Sequence, residues 1–462
     1  MAAREPVLTV AEMRAGEQAL LDGGETVASL MERAGTGAAD WVWRIAAGAP
    51  VTVLCGPGNN GGDGYVIARE LQARGGHVRV VAPLEPGGEA AIAARRSWGG
   101  ATVDDARDGL LVDALFGSGL ARPLDPALAA LLARLAASHS GAVAIDLPSG
   151  IDADTGAVLN EGLPDYRLTL ALGAWKRAHW LLPGMARMGE RRLVDIGVAA
   201  GADAARLIAR PSLPAPARSA HKYSRGLLAV VGGAMPGAGA LAARAAMHGG
   251  AGYVKLFAAH RSPATPDDLV VDDAPLHEAL ADPRIAALLV GPGLGRDDAA
   301  GERLATVLAR EVPCVLDADA LVLLAPQMLA ARRAPLLLTP HAGERAGLCA
   351  RFGIEQRDRI AAALALARAC GAVVIAKGPD TLVAAPNGGL RFACPASSWL
   401  STAGTGDVLA GILASRLATG QAPLVAAEEA LWLHADAARI AGAAFTASDL
   451  IGAIASAYER CV

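Results

Sequence analysis

Lysine is nearly missing from this chain: Lys176, Lys222, Lys255 and Lys377 are all it has in 462 residues, and arginine dominates the basic side chains. No run of basic residues occurs and the net charge is -4, so nothing offers an electrostatic footprint for nucleic acid. Cysteine is sparse too. Cys55, Cys314, Cys349, Cys370, Cys394 and Cys461 are scattered with no Cys-x-x-Cys pair, which gives no zinc signature and suits a reducing compartment. No apolar stretch approaches the length of a membrane span, and residues 1–6 lack the apolar core of a secretory signal. A cytoplasmic protein with neither membrane nor nucleic acid as partner is expected. No Gly-Lys-Ser/Thr follows any glycine-rich loop, so a Walker phosphate loop is excluded.

What is present describes an ordered, compact and soluble chain. Hydrophobic residues make up 53% and charged ones 19%, and the length suffices for two or three domains with their own cores. Coding bias explains the excess of arginine. A lysine kept against that bias marks a place where a compact ammonium serves better than a planar guanidinium. Lys176, Lys222 and Lys377 lie in or beside motifs.

The first half opens with helical patterning after Thr9-Val10-Ala11-Glu12, which has the spacing of a capping box. Apolar positions then run from Leu20 to Trp43. Strands are expected at residues 51–55, 77–82, 110–113 and 142–146, with a helix at 65–74. Their alternation implies a doubly wound, Rossmann-like parallel sheet in a domain at 1–205. Pro211, Pro214 and Pro216 suggest a linker at 206–218. A second α/β domain follows at 219–462, with strands at 227–231, 287–290, 314–316, 336–338 and 372–376 and a helix from about Gly239. No short repeat relates the halves.

Three segments converge at the strand ends of the first half. Asn59-Asn60-Gly61-Gly62-Asp63 offers amides, close backbone approach and a carboxylate before a helix. Asp113 precedes a glycine-rich turn, and Asp146-Leu147-Pro148-Ser149 joins a carboxylate to a hydroxyl. Oxygen-only donors such as Asn60, Asp113 and Ser149 suit a hard cation. Turn chemistry alone accounts for any one of these segments, but poorly for all three at successive strand ends.

Residues 56–64 (Gly-Pro-Gly-Asn-Asn-Gly-Gly-Asp-Gly), 113–120 (Asp-Ala-Leu-Phe-Gly-Ser-Gly-Leu) and 146–152 (Asp-Leu-Pro-Ser-Gly-Ile-Asp) resemble the motifs of the NAD(P)H-hydrate epimerases, over roughly 8–200. The resemblance implies interconversion of the R and S epimers of NADHX and NADPHX. It implies that Asn59, Asn60, Gly61, Gly62 and Asp63, with Gly117, Ser118, Gly119, Leu120, Ala121, Arg122 and Pro123, bind the substrate. It implies K+ on Asn60, Asp113 and Ser149, and Asp146 as a substrate-binding acid/base. Pro57 stands where the family often has a basic residue. Lys176, in Gly173-Ala174-Trp175-Lys176-Arg177, also matches a family segment, and a surface lysine is the expectation for it.

In the second half, Thr402-Ala403-Gly404-Thr405-Gly406-Asp407 opens a small-residue helix. Glycines there make an anion hole of backbone amides, and the Asp can take a proton from a hydroxyl facing a phosphate. Such a loop resembles that of the ribokinase-like fold, where the Asp is the base of phosphoryl transfer. His221-Lys222-Tyr223-Ser224, Gly291-Pro292-Gly293-Leu294-Gly295, Thr339-Pro340-His341-Ala342-Gly343-Glu344 and Lys377-Gly378-Pro379-Asp380-Thr381 accompany it. In that order they resemble the ADP/ATP-dependent NAD(P)H-hydrate dehydratases, over about 215–460. The resemblance implies Asp407 as catalytic base at the substrate, and Lys377, Gly378, Pro379, Asp380, Thr381 and Gly406 on ADP or ATP. Ala240, Gly293 and His341 would line the hydrate site, with Mg2+ as cofactor. Thr405 stands where many relatives carry Ser. Asp317 and Asp319 follow a strand, and capping or a hold on metal or substrate both stay open.

The expectation is therefore a bifunctional repair enzyme with small-molecule partners, a homo-oligomer. Two alternatives remain at this point: a small-molecule kinase in the second half, and a non-catalytic first half acting as nucleotide sensor or scaffold.

Overall fold

Apolar runs of five residues, β-branched and closed by glycine or aspartate, become strands buried along their whole length, as parallel sheets covered on both faces require. The structure, a computed structural model, describes residues 5–259, 261, 265–355 and 358–462. Residues 1–4 of the N-terminal segment read for a signal lie outside the described residues. The chain divides into two units, Glu5–Ala205 and Arg206–Val462.

The strands of the first unit are β1 (Val51–Cys55), β2 (Val78–Val81), β3 (Thr102–Val103), β4 (Leu110–Ala114), β5 (Gly141–Ile145), β6 (Leu168–Leu172) and β7 (Glu190–Val194). They lie in the order β3-β2-β1-β4-β5-β6-β7, all parallel. The order reverses between β1 and β4, the point where such sheets leave a crevice at their carboxyl ends. Helices α1 (Val10–Asp22), α2 (Val27–Ala46), α3 (Asn59–Ala73), α4 (Glu89–Trp98) and α5 (Pro126–Ser138) cover it. Met31, Val42, Tyr65, Val66 and Trp98 fill one face, and Leu132, Leu135, Leu147 and Tyr166 the other. Thr9 caps α1 as expected: its hydroxyl accepts from the Glu12 amide at 3.1 Å, and the Glu12 carboxylate accepts from the Thr9 amide at 2.7 Å. The apolar pattern from Leu20 to Trp43 is two helices, because the Gly23-Gly24 pair ends the first. A short parallel pair, Val7 opposite Trp175 and Leu8 opposite Lys176, draws Lys176 inward.

In the second unit the strands are β8 (Ala205–Leu207), β9 (Leu227–Val231), β10 (Tyr253–Phe257), β11 (Val270–Asp272), β12 (Ile285–Val290), β13 (Cys314–Leu316), β14 (Leu336–Leu338), β15 (Val373–Ala376), β16 (Leu382–Ala384) and β17 (Leu390–Phe392). Their order is β11-β10-β9-β12-β13-β14-β15-β16-β17-β8. Pairing is parallel from β11 to β15 and antiparallel across β15, β16 and β17. The flanking helices are α6 (Pro236–His248), α7 (Asp298–Leu308), α8 (Ala318–Leu323), α9 (Ala342–Arg351), α10 (Arg359–Cys370), α11 (Thr405–Ala418), α12 (Pro423–Ala441) and α13 (Ala447–Glu459). Helix α6 starts three residues before the expected Gly239, since Pro236 can occupy the first turn. Both units are thus α/β, a doubly wound Rossmann-like sheet and a ribokinase-like domain. The stretch read as a linker packs on the second unit at its start: Ile208 donates to Phe392 O at 2.8 Å, and buried Leu213 to Cys461 O at 2.7 Å. Prolines there forbid a continuous ladder without preventing burial of the apolar residues between them. Among the described residues no helix is long and apolar enough to cross a membrane.

Small residues let α6 and α11 approach closely. A Cβ added to Gly411 would lie 2.1 Å from the Ala242 carbonyl oxygen, a backbone atom with nowhere to move. Gly411→Ala should therefore destabilise the second unit by about 1–3 kcal/mol, the usual cost of overpacking. Scanning calorimetry should show the transition of that unit lowered and the other unmoved.

Candidate active sites

In the first unit the Asn-Asn-Gly-Gly-Asp segment is the opening turn of α3, not a loop before it: the helix begins at Asn59, six residues ahead of the expected Tyr65. A Cβ on Gly61 would sit 1.9 Å from Gly56 O, so only glycine lets this turn lie against the end of β1. The amides of the first helical turn are left without intrahelical acceptors and favour an anion.

Asp113, at the end of β4, is fully buried. Its Oδ1 accepts from the Leu115 amide at 3.1 Å and Ser149 Oγ at 2.7 Å; its Oδ2 accepts from the Ser149 amide at 3.0 Å and Tyr166 OH at 2.5 Å. Burial nonetheless holds its carboxyl above the usual range. The Asn60 amide is buried with neither its oxygen nor its nitrogen bonded.

Asp146 follows β5 with φ of 65°, a left-handed conformation that a non-glycine residue adopts only when its surroundings hold it. Oδ2 accepts from the Ser118 amide at 2.8 Å. Oδ1 meets the Lys176 ammonium, which also donates to Leu172 O at 2.6 Å. Lys176 is 1% exposed, which corrects the surface reading. Nothing in its local sequence records that the short Leu8–Lys176 strand pairing turns its side chain inward. Burial raises the Asp146 carboxyl, but the charge and hydrogen bond of Lys176 with the Ser118 amide outweigh it, so the net direction is down. His179, not singled out by sequence, is fully buried; its Nδ1 accepts from the Lys176 amide at 2.9 Å, so Nε2 carries the proton given to Asp146 O at 2.8 Å. Burial and the charge of Lys176 push this imidazole down to about 4, so it is neutral.

Asp146 and Lys176 border a cavity of about 400 Å³. Asn59, Asn60, Asp63, Gly117, Ser118, Gly119, Leu120 and Asp146 line it, joined by Met13, Arg14 and Glu17 of α1, Met31 of α2, and Lys176. Gly61 and Gly62 are buried behind that wall, and Ala121, Arg122 and Pro123 are exposed outside it. Asp113 and Ser149 do not border the cavity; Ser149 Oγ accepts from the Phe116 amide at 2.9 Å just behind it. Asp63 is raised well above the carboxylate range by burial and by the charges of Asp146 and Glu17.

In the second unit Gly404, with φ of 87°, opens α11, and Asp407 stands in its first turn. Burial, then the charge of Asp317, pushes Asp407 up to about 6 against the pull of Lys377. Lys377, just past β15, donates to Asp317 Oδ1 at 2.8 Å, and Thr339 Oγ1 donates to the same oxygen at 2.6 Å. Asp317 precedes α8 but its side chain does not cap it. Asp319 accepts from the Gly295 amide at 3.0 Å and Arg296 Nε at 2.7 Å. The ammonium of Lys377 lies 3.7 Å from where a Cβ on Gly406 would be, so the two nucleotide-loop candidates meet. Gly378 donates to Thr381 Oγ1 at 3.1 Å, closing a turn over Pro379, and Asp380 pairs with Arg359. His341 caps α9: its Nδ1 accepts from the Gly343 and Glu344 amides at 3.0 and 3.2 Å. Ala240 is buried in α6, and Gly293, with φ of 65°, accepts from the Met235 amide at 2.9 Å. His434, missed in the sequence, is buried beneath the loop with Nε2 2.9 Å from Thr405 O. Lys222 lies over the rings of Tyr223 and Tyr253, at 5.1 and 4.8 Å.

In each of the two α/β units a lysine stands against a buried aspartate just past a strand end. Residues 228–459 match the family described as NAD(P)H-hydrate dehydratase, and residues 27–178 that described as YjeF-related protein N-terminus. The bifunctional NAD(P)H-hydrate repair enzyme Nnr of Gloeobacter violaceus is 38% identical, covering 92% of each chain. Those of Salinibacter ruber and Mycobacterium tuberculosis are each 35% identical, covering 97% and 95%, and 89% and 89%, of this chain and theirs. The chain belongs to the family of bifunctional NAD(P)H-hydrate repair enzymes.

Lys176→Met should strand the Asp146 charge in a dry site. A carboxyl-carbon NMR titration is expected to find Asp146 moved from below to above the usual carboxylate range; an unmoved midpoint would contradict the role given to Lys176. Breaking this buried pair should also cost the first unit about 3–5 kcal/mol.

Proposed function

We propose that the first unit interconverts the R and S epimers of NADHX and NADPHX, and that the second dehydrates the S epimer at the expense of ADP or ATP. Only one epimer is a substrate of the second reaction, so the first feeds it. The observation that carries this reading is the opposite tuning of two aspartates in one chain related along its length to repair enzymes. Asp146 is held ionised by Lys176. Asp407 is poised at about 6, where a group both accepts and releases a proton.

In the first site Asp146 takes the proton of the hydroxyl on the hydrated carbon as the ring opens, and returns it on closure. Lys176 keeps the base ionised, and neutral His179 fixes its backbone without adding charge. Amides at Asn59 and Asn60 face the anionic part of the substrate, Gly61 and Gly62 allow the close approach, Gly117 and Ser118 border the substrate beside Asp146, and Gly119, Leu120, Ala121, Arg122 and Pro123 extend the contact outward. Asn60, Asp113 and Ser149 would hold K+. The donors fit: all are oxygens, the Asn60 amide is buried without a partner, and Asp113 is a buried carboxyl whose contacts are neutral donors. The ion would supply positive charge to that carboxylate.

In the second site Asp407 accepts the hydroxyl proton as that oxygen attacks the terminal phosphorus of the nucleotide. The phosphate ester then breaks at its C–O bond, and loss of a proton from the neighbouring carbon restores the dihydronicotinamide. Lys377 leaves Asp317 to meet the phosphates, with Gly378, Pro379, Asp380, Thr381 and Gly406 around the nucleotide. Ala240, Gly293 and His341 border the hydrate. Mg2+ would come on the nucleotide phosphates, since no cluster of three or more acidic or histidine side chains fit to hold a metal exists among the described residues. A simple kinase is disfavoured, because it would have no use for an epimerase partner. The chain acts in the cytoplasm, in keeping with its scattered cysteines, which include no Cys-x-x-Cys pair.

Purified protein should recover NADH from mixed R and S NADHX only with ADP or ATP, and recover all of it. A stable phosphorylated product instead of NADH would revive the kinase. Asp407→Asn should lower kcat of dehydration by roughly 10²–10⁴-fold. In the wild type that rate should fall as pH drops through about 6, because only unprotonated Asp407 accepts the proton. Asp146→Asn should stop epimerisation and leave dehydration of the S epimer intact.

A further inference from the structure

The cavity of the first unit contains a carboxyl for which the proposed reaction has so far no use. Glu17, on α1, borders it together with Arg14 and Met13. It is partly exposed, and among the described residues it accepts no hydrogen bond and forms no ion pair. A glutamate on the outer face of an amphipathic helix is normally solvated. This one is desolvated enough for burial to raise its proton affinity; Asp146 adds to the shift, while Lys176 and Arg14 oppose it.

Resting on the epimerase reading, the chemistry asks for such a group. Opening a ring at a carbon that bears both a hydroxyl and the ring nitrogen moves two protons, one off the oxygen and one onto the nitrogen. An aspartate held ionised by a lysine can take the first and has none to give for the second. We propose that Glu17 is a second catalytic residue of the epimerase, donating the proton to the ring nitrogen as Asp146 accepts that of the hydroxyl. The C–N bond electrons pass to the nitrogen, which Glu17 protonates, and the oxygen becomes a carbonyl. Rotation presents the other face of the carbonyl. The nitrogen then attacks it, its proton returns to Glu17, and Asp146 protonates the oxygen. The balance is zero, and no co-reactant is needed.

Asp63, the other candidate, suits the role less. Its carboxyl is buried on α3, and that burial, with the charges of Asp146 and Glu17, raises its proton affinity well above the usual carboxylate range, which disfavours it as the base of the closing step. The charged or titrating groups facing Glu17 are then Arg14 on its own helix, Asp63 on α3, Asp146 after β5, and Lys176. Two carboxyls in one cavity with proton affinities displaced in opposite directions are the mark of an acid and base pair.

The test follows conversion of isolated R-NADHX to the S epimer by chromatography, without nucleotide, over a range of pH. In the wild type, activity should rise as Asp146 ionises and fall as Glu17 loses its proton. Glu17→Gln should lower kcat by at least about 100-fold, leave KM little changed and abolish the alkaline fall. Glu17→Asp should restore part of the rate and the alkaline fall with it. Dehydration of S-NADHX by the same preparations gives the concentration of active chain, and circular dichroism checks α1. A wild-type rate with an intact alkaline limb in Glu17→Gln, or a change in KM alone, would overturn the assignment. Failure of the wild type to epimerise, with dehydration intact, would instead overturn the epimerase reading itself.

Discussion

Lysine brings positive charge to three of the carboxylates at strand ends in this chain, while four neutral donors hold Asp113. A carboxylate taken out of water without a partner protonates, and with a well-placed ammonium it stays ionised and fixed. Lys176 meets Asp146, Lys377 meets Asp317, and Lys255 meets Asp272. Three of the four lysines thus stand against aspartates at strand ends. A guanidinium is wider and more rigid, and would not enter the space in which Lys176 reaches both Asp146 and the Leu172 carbonyl. The first pair makes a base that stays ionised. The second leaves Asp407, beside the negative Asp317, with a proton affinity near neutrality.

Backbone close approach is the second theme, since both sites use glycine at a helix start. Gly61 seats the first turn of α3 on Gly56, and Gly404 turns the chain into α11. Amides of those first turns, with the helix dipole behind them, favour an anion. The two units reach this arrangement with different motifs and different strand orders, so the likeness is one of physics rather than of duplication.

Much of this was legible in the chain. Strand positions followed from short β-branched runs, the segments holding Asp113 and Asp146 from turns at strand ends, and that holding Asp407 from glycines opening a helix. The helix start at Asn59 was not, because three glycines in six residues read as a loop until the strand beneath them supplies a reason for each. Lys176 was misread as a surface residue, since nothing in Trp175-Lys176-Arg177 tells which side chain turns inward. Glu17 and His179 gave no signal either: one looks like an ordinary helix-surface glutamate, the other like a loop histidine. His341 was expected beside a ligand, and its Nδ1 is engaged in capping α9.

The sequence by itself determined the local order: hydrophobic periodicity, turn residues and the spacing of the motifs fix which segments become strands and where the candidate aspartates fall. It also determined the family. Tertiary structure alone decided the ionisation of those aspartates, because proton affinity depends on burial and on charges far away along the chain. Asp146 and Lys176 are 30 residues apart, Asp317 and Lys377 are 60, and Glu17 lies well over a hundred from the aspartate whose cavity it shares. Distances of that kind are set by packing, and local pattern does not encode them.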